Sequence, residues 1–329
     1  MMSARIFNIV KTAVSVFGIA IVVTSCNNTG RDKELRRFYL YESLVDKQEW
    51  EELAGLSRKE YLEHGGIFDA NYYHLAQAYR GRLVEELFRT RQFGPYGLLF
   101  SPREHNFDPC LTHIYFAIGN VAAVQEWATG AYLSDNGKLK GFMLKELVKV
   151  EILRGNDKIA DKYLKILRKQ RKFRKWAENV RKDFEIERCR RCSRTGGYPF
   201  LHHQDAGDLM ETFKLNPTDS LVMQYVLAWH LLNKDMAAIY GLVERYFGTD
   251  IMNSLPTPVQ EALIIYYDYR QERSENNDPM TVEWCLDHGV TEETVQRFYM
   301  FRDAYIDRNG LALMGYKETF WYYMLLTKV

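Results

Sequence analysis

Two cysteines and a nearby histidine pair form the local pattern with the clearest capacity for chemistry. Cys189 and Cys192 are separated by two residues, and His202 and His203 begin ten residues after the second cysteine. Thiolates at this spacing bind Zn²⁺, and an imidazole nitrogen can help to complete the tetrahedral ligand set. Because adjacent histidines cannot both reach one ion comfortably, the zinc hypothesis takes Cys189, Cys192 and His202 as its ligands.

The same two thiols support two other interpretations, a structural disulfide or inert thiol pair in a loop, and a redox-active pair. Nearby arginines would lower the thiol pKa and favour the thiolate. Against a redox enzyme, no βαβ pattern of the thioredoxin type surrounds the motif. A structural loop is the leading interpretation, and metal and redox sites are the alternatives. With Cys110 and Cys285, four cysteines beyond Cys26 allow three disulfide pairings.

Motifs that carry catalysis elsewhere are missing. The sequence contains no H-E-x-x-H, no phosphate-binding P-loop, no G-x-G-x-x-G and no G-x-S-x-G. The eight histidines are scattered, and His113 and His230 lie in apolar helical runs, where hydrogen-bonded core or groove positions are expected. We therefore predict that the chain is not an enzyme.

Aromatic and basic runs are candidate binding features. Tyr72-Tyr73, Tyr266-Tyr267 and Trp321 to Tyr323 could form platforms for a sugar or peptide, although their helical spacing favours burial. Between Lys165 and Arg194, thirteen Lys or Arg residues stand against four acidic ones. This run predicts a solvated face or a contact with anionic headgroups or an acidic partner. Residues 259–307 lean acidic, which could steer a partner or a self-association.

The first 26 residues have the order of an export signal. Arg5 and Lys11 precede the uncharged run Thr12–Val23. A helix of this length rises only about 18 Å, whereas a bilayer span takes ~20 residues, so a signal peptide is favoured over a permanent span. Val23-Thr24-Ser25-Cys26 resembles the bacterial lipobox. The resemblance implies diacylglycerol on the Cys26 thiol, cleavage before Cys26, and acylation of the new amino terminus.

These boundaries predict a signal peptide at 1–25, a lipidated cysteine with its tether at 26–33, and a helical domain at 34–329. The seven residues from Asn27 to Lys33 reach at most about 25 Å, which would keep the domain near the bilayer. By resemblance to lipoprotein sorting, Asn at position 27 implies the outer membrane, facing the periplasm. Residues 1–25 carry two basic and no acidic residues, so their removal would change the net charge from +1 to −1. Such a chain gives no global nucleic-acid signal.

Apolar residues recur at helical spacing along the rest of the chain, in pairs of runs separated by short polar turns. The turns fall at Gly81, Gly119, Gly155 and about Lys234, in steps of 38, 36 and 79, the last about twice the others. The missing turn would lie near Gly196-Gly197. With 47% hydrophobic residues and only eight prolines, this periodicity predicts an all-α fold.

The period and the small turn residues resemble a degenerate tetratricopeptide (TPR) array. The closest local match is 213–219, where Leu215-Asn216-Pro217 resembles the junction between repeats and Pro217 would start a helix. The resemblance implies a right-handed α-solenoid of TPR-like hairpins, and an irregular α-bundle is the alternative. Segments 291–308 and 317–327 are predicted to be C-terminal capping helices, with Phe320 to Tyr323 buried. Long loops are expected at 94–109 and 195–205, and a helix break at 276–279.

As a whole, the chain resembles bacterial lipoproteins of uncharacterised function with TPR-like helices, of the kind abundant in Bacteroidota. The resemblance implies a membrane-anchored scaffold that binds a protein or peptide segment, with no cofactor beyond the lipid on Cys26. A glycan-binding lipoprotein of a nutrient-uptake assembly is the first alternative. A metal or redox protein centred on Cys189 and Cys192 is the second. No nucleic-acid partner is expected, and the sequence leaves the oligomeric state open.

Overall fold

A computed structural model describes residues 33, 35–99, 109–134, 139–181, 205–272 and 280–327. The chain forms two compact units, residues 1–53 and 54–329. In the first unit, helix α1 covers residues 35–47 and buries Phe38, Tyr41 and Leu44. Gln48 ends α1 with a φ of 59°, and helix α2 (Trp50–His64) begins directly afterwards.

The described residues of the second unit form helices joined by turns and loops, with no β-structure beyond isolated bridges. This confirms the all-α prediction. After α2, the elements in chain order are α3 (Ile67–Tyr79), α4 (Leu83–Glu86) with a 3₁₀ turn (Leu87–Arg89), α5 (Pro109–Ile118), α6 (Val121–Ser134), α7 (Lys140–Leu153), α8 (Asp157–Arg168), α9 (174–181), α10 (Asp205–Leu215), α11 (Ser220–Leu232), α12 (Met236–Tyr246), α13 (Thr257–Gln271), α14 (Val282–Asp287), α15 (Glu292–Ile306), α16 (Gly310–Leu313) with a second 3₁₀ turn (Met314–Tyr316), and α17 (Phe320–Leu326).

The four predicted turns all join two helices, and they share one geometry. Gly81, Gly119, Gly155 and Lys234 have φ values of 71°, 87°, 75° and 59°. In each turn, the residue that follows donates its N–H to a carbonyl five residues earlier, at 2.8–2.9 Å. This left-handed helix end satisfies carbonyls that would otherwise lack a partner, and glycine adopts it without steric cost. The predicted missing turn near Gly196 lies outside the described residues.

The predicted junction at 215–217 is only partly correct. Helix α10 ends at Leu215 as expected, but Pro217 lies in the following turn and does not start α11. Asp219 caps α11 instead, because its carboxylate accepts the N–H groups of Leu221 and Val222 at 2.9 and 3.3 Å. A side-chain acceptor thus satisfies donors that a proline at the first helical position would have left to solvent.

Two kinds of helix contact build the second unit. Helices α5 to α8 pack in chain order, and so do α10 to α13. In addition, α11 packs against α3, α4 and α5. Gln224 connects these parts by accepting the Leu83 N–H at 3.1 Å and donating to the Ala78 carbonyl at 3.2 Å. A simple solenoid has contacts between neighbouring repeats only, so the TPR-like arrangement stays a prediction.

The two segments predicted as capping helices are α15 and α17, and both pack against α13. Phe320, Trp321 and Tyr323 are buried as predicted, whereas Tyr322 is only half-buried. The predicted loops at 94–109 and 195–205, and the break at 276–279, fall largely outside the described residues.

Candidate functional site

The residues predicted to carry chemistry lie outside the part of the chain that the structure describes. These are the lipidation residue Cys26 and the group Cys189, Cys192 and His202. The lipid, disulfide, redox and zinc hypotheses therefore stay predictions.

Cys110 and Cys285 are buried thiols, and burial raises the pKa of Cys285 to about 12. Neither takes part in a disulfide in the described part of the chain, and a pairing of Cys189 with Cys192 stays a prediction.

Two further findings are confined to the described ranges. In them, no cluster of three or more His, Cys, Asp or Glu side chains is arranged to hold a metal ion. Nor does any helix there combine the length and apolar character needed to cross a bilayer.

Helix α7 carries a cluster of buried charges. Lys145, Glu146 and Lys149 are all buried, and Lys149 Nζ lies 2.7 Å from Glu146 Oε1. Burial alone would raise the pKa of Glu146, but the positive charges of Lys149, His113 and Lys145, and the hydrogen bond from Lys149, hold that pKa below its ordinary value. Lys145 also lies over the Trp176 ring. The opposite charges compensate one another inside the fold, so we assign this cluster a structural role.

The two histidines singled out by the sequence have structural surroundings. His113 is buried, as predicted, and lies beside the buried charges of α7. His230 is half-buried, and its Nδ1 lies 3.2 Å from Asp235 Oδ2. Burial lowers the pKa of His230, while Asp235 opposes that shift. A third histidine, His74, is buried and bonds to the Gly97 carbonyl, and burial lowers its pKa to about 4. We therefore assign none of them to a catalytic role.

A basic surface occupies the exposed sides of α8 and α9. From position 162 to position 177 the chain has eight Lys or Arg residues and no acidic residue, and all eight side chains are exposed. These eight define the basic surface: Lys162, Lys165, Arg168, Lys169, Arg171, Lys172, Arg174 and Lys175. The N-terminal part of the basic run predicted between 165 and 194 is therefore solvent-facing.

The three predicted aromatic platforms have different surroundings. Tyr72 and Tyr73 are fully buried, and Trp321 and Tyr323 are also buried, so neither set offers an accessible platform. Tyr266 is half-buried, and so is Tyr267 beside it. Of the three predicted platforms, the pair on α13 is therefore the one in which every ring is accessible to a ligand.

Tyr266 belongs to a row of rings that crosses α12, α13 and α14. Its ring centroid lies 6.0 Å from that of Tyr240, and the Tyr240 centroid lies 4.7 Å from that of Trp284. Trp284 stacks on His288 with a centroid distance of 3.9 Å and an interplanar angle of 17°. All the members are half-buried, and they define the aromatic strip: Tyr240, Phe247, Tyr266, Arg270, Trp284 and His288.

Arginine and acidic groups complete this strip. The Arg270 guanidinium lies 5.6 Å from the Tyr240 ring centroid and 5.4 Å from that of Tyr266. The Tyr240 hydroxyl donates to Glu244 Oε1 at 3.2 Å. Glu283 is exposed on α14 beside Trp284. The strip thus combines accessible ring edges, a delocalised cation and flanking carboxylates.

Sequence reasoning found only Tyr266 of this strip. A partial signal existed, because Tyr266 and Arg270, and likewise Trp284 and His288, are four residues apart and so share a helix face. The contact of Tyr240 with both pairs depends on how α12 packs beside α13 and α14. Single-helix periodicity contains no information on that packing.

A cavity of about 770 Å³ lies beside α17 and is lined by Pro95, Leu232, Lys234 and residues 324–327, among others. Lys234 Nζ donates to the carbonyls of Met324 and Thr327 at 3.1 and 2.9 Å. Burial lowers the pKa of this ammonium group. Because these bonds cap the last carbonyls of α17, Lys234 has a structural role there.

Comparison with known proteins gives one match. The model of a family described as a family of unknown function (DUF6057) matches residues 2–327. No curated protein and no solved structure matches the chain.

Proposed function

Since the chain belongs to the DUF6057 family, whose function is unknown, we propose its role from its sequence and surface. We propose a lipoprotein that is anchored in the cell envelope through Cys26 and binds a protein or peptide segment. The proposed location is the outer membrane, facing the periplasm. We also infer that its paired helices are degenerate TPR-like hairpins, which suits a scaffold because stacked hairpins present extended binding surfaces.

The aromatic strip is the observation that carries the proposed binding role. Protein interfaces are enriched in Tyr, Trp, Phe and Arg, and a few such residues contribute most of the binding energy. The strip places Tyr240, Tyr266, Trp284 and Arg270 side by side, with each side chain held by its neighbours. Because these side chains are already ordered, binding a partner would cost little further rotamer entropy.

Shortening two rings of the strip is expected to weaken partner capture. In the double variant Tyr240→Ala/Trp284→Ala, we expect recovery of a crosslinked partner to fall by roughly ten- to thirtyfold, since hot-spot residues contribute about 2 kcal/mol or more. The measurement is photo-crosslinking of the full chain in native membranes, followed by quantification of each crosslinked protein.

The matched control is Tyr299→Ala/Tyr305→Ala. It also removes two rings from a helix surface, because Tyr299 is half-buried and Tyr305 is 41% exposed, both on α15. This variant should retain the crosslinked proteins. Equal loss in both variants, or no specific crosslinked protein with the unaltered chain, would contradict the proposed role of the strip.

The membrane anchor has its own test. Replacing Cys26 by alanine removes the only thiol of the lipobox-like segment, so the protein should move from the membrane fraction to the soluble fraction. Loss of several acyl chains removes an effectively stable attachment, because each buried methylene contributes ~0.8 kcal/mol. Fractionation with mass measurement of the amino terminus checks this, and Cys110→Ala is the control. Retention of Cys26→Ala in the membrane fraction would refute the lipid assignment.

The same strip also favours a second candidate, a glycan-binding role. Tyr and Trp side chains present an apolar ring together with a polar group, which suits a sugar as well as a peptide. Equilibrium binding of oligosaccharides to the full chain separates the two. Saturable binding that Trp284→Ala abolishes, without any crosslinked protein, would move the glycan role to first place.

A further inference from the structure

We propose that the basic surface on α8 and α9 binds the anionic phosphate headgroups of a lipid bilayer. The inference gives the membrane-anchored protein a second contact with the membrane, and in that sense it rests on the proposed function. Three observations support it: the dense positive charge of the surface, its rigid support, and its residue types.

The positive charge of the surface is dense, because its eight Lys or Arg residues lie within positions 162–177, which contain no acidic residue. The acidic residues just before it, Asp157 and Asp161, both pair with Arg181, with N···O distances of 3.2 and 2.8 Å. Arg181 lies outside the eight residues of the surface, so these two ion pairs involve none of the eight. Clusters of four to eight Lys or Arg residues on an amphipathic helix are typical of binding to anionic lipids, which concentrate phosphate charge in a plane.

A packed apolar layer holds the surface in place. Leu164 and Leu167 of α8, and Phe173 with Val180 at α9, are buried beneath the basic residues. The Phe173 ring meets the Phe142 ring edge-on at 5.1 Å. The fit depends on a glycine at position 141, because a Cβ there would lie 2.2 Å from the Phe173 ring. The basic side chains therefore project from a fixed helical hairpin.

The residue types favour a lipid surface over an acidic protein. Five of the eight residues are lysine, which is depleted in protein interfaces, whereas an ammonium group suits a mobile layer of phosphates. Ile166, which follows Lys165 on α8, is 44% exposed and can contact the apolar edge of the headgroup layer.

The test compares vesicle binding of full chains that all carry Cys26→Ala, so that the predicted lipid plays no part. Vesicles contain phosphatidylcholine alone or phosphatidylcholine mixed with phosphatidylglycerol, and partitioning is measured by co-flotation. The surface variant is Lys162→Gln/Lys165→Gln/Lys169→Gln/Lys175→Gln. The control variant removes four exposed lysines elsewhere, Lys47→Gln/Lys59→Gln/Lys214→Gln/Lys317→Gln. Because both variants lose the same charge, they differ only in its position.

We expect preferential binding of the parent chain to the anionic vesicles, weakened by salt because ions screen surface charges. Each lysine that contacts headgroups changes the partition constant by roughly fivefold, so the surface variant, which lacks four of them, should bind on the order of 600-fold more weakly. The control variant should bind as the parent does.

Three results would overturn the inference: equal binding of the parent to both vesicle types, equal loss in both variants, or unchanged vesicle binding of the surface variant together with loss of a crosslinked protein. The last would identify a protein interface instead. Failure of the proposed function would be visible elsewhere, in unchanged crosslinking of the strip variant or in retention of Cys26→Ala in membranes.

Discussion

Replacing Trp321 by alanine is expected to lower the free energy of unfolding by about 3–5 kcal/mol, the usual cost of removing a large buried aromatic side chain. Trp321 is completely buried on α17. Its ring stacks on Phe301 of α15 at a centroid distance of 5.7 Å, and its indole N–H donates to the Glu261 carbonyl of α13 at 2.7 Å. One side chain thus joins three helices, and its loss leaves both a cavity and an unpaired acceptor.

Urea titration followed by circular dichroism measures this effect, and Leu311→Ala provides the comparison. Leu311 is 89% exposed, so its truncation should change the free energy of unfolding by less than about 0.5 kcal/mol. Similar stabilities for Trp321→Ala and Leu311→Ala would show that α17 does not contribute to the core in solution. Separate unfolding of the tail in Trp321→Ala would indicate that α17 caps the domain without being required by the rest of it.

Stability is also expected to fall as the pH rises from about 4.5 to about 8, because of Glu261. Burial raises the pKa of this carboxyl group to about 8, against the opposing effects of the Phe320 N–H, which donates to Glu261 Oε2 at 2.7 Å, and of Arg297. In the unfolded chain the group titrates near its ordinary value of 4.5. Between these two values the folded chain holds a proton that the unfolded chain has released, so unfolding becomes easier as the pH rises.

The direction of this pH dependence determines the stability change that we expect for Glu261→Gln. The protonated Glu261 contributes fully to the free energy of unfolding at pH values below its pKa in the unfolded chain. This contribution is lost as the pH rises through its pKa in the folded chain. Glutamine is neutral at every pH and keeps an oxygen to accept the Phe320 N–H, so it should remove this pH dependence. At pH values above the folded pKa we expect the variant to be more stable than the parent by on the order of 5 kcal/mol, which corresponds to the shift from 4.5 to about 8.

Denaturant titrations across this pH range test the prediction. Glu318→Gln is the comparison, because it removes an exposed carboxyl group two residues before the start of α17. It should follow the parent's pH profile. A parent stability that rises through the same interval, or a Glu261→Gln profile parallel to the parent's, would mean that Glu261 is ionised in the folded chain.

Part of the architecture is determined by residues that lie close together in the sequence. The turns at Gly81, Gly119 and Gly155 follow from apolar periodicity that ends at a glycine, and the structure confirms them. The burial of Phe320 and Trp321 was also predicted from an apolar run at helical spacing. These features are local, because a helix and its end are formed by hydrogen bonds between residues only a few positions apart.

Charge and aromatic content alone did not determine what is exposed. The tyrosine pairs at 72–73 and 266–267 look alike in the sequence, yet the first is fully buried and the second is accessible. Lys145 and Glu146 carry charges that would suit a surface, but both are buried, since other charged side chains compensate them. Burial depends on which helices surround a residue. The residue pattern along one helix does not determine which other helices pack against it.

The predicted chemistry and the described structure concern different parts of the chain. By itself, the sequence predicted an export signal, a lipid on Cys26 and an all-α domain, because each depends on consecutive residues. Only the tertiary structure revealed the aromatic strip, the packing of α11 on α3 to α5, and the burial of Glu261 beside α17. These features join residues that lie tens to more than a hundred positions apart, and folding alone brings them within contact distance.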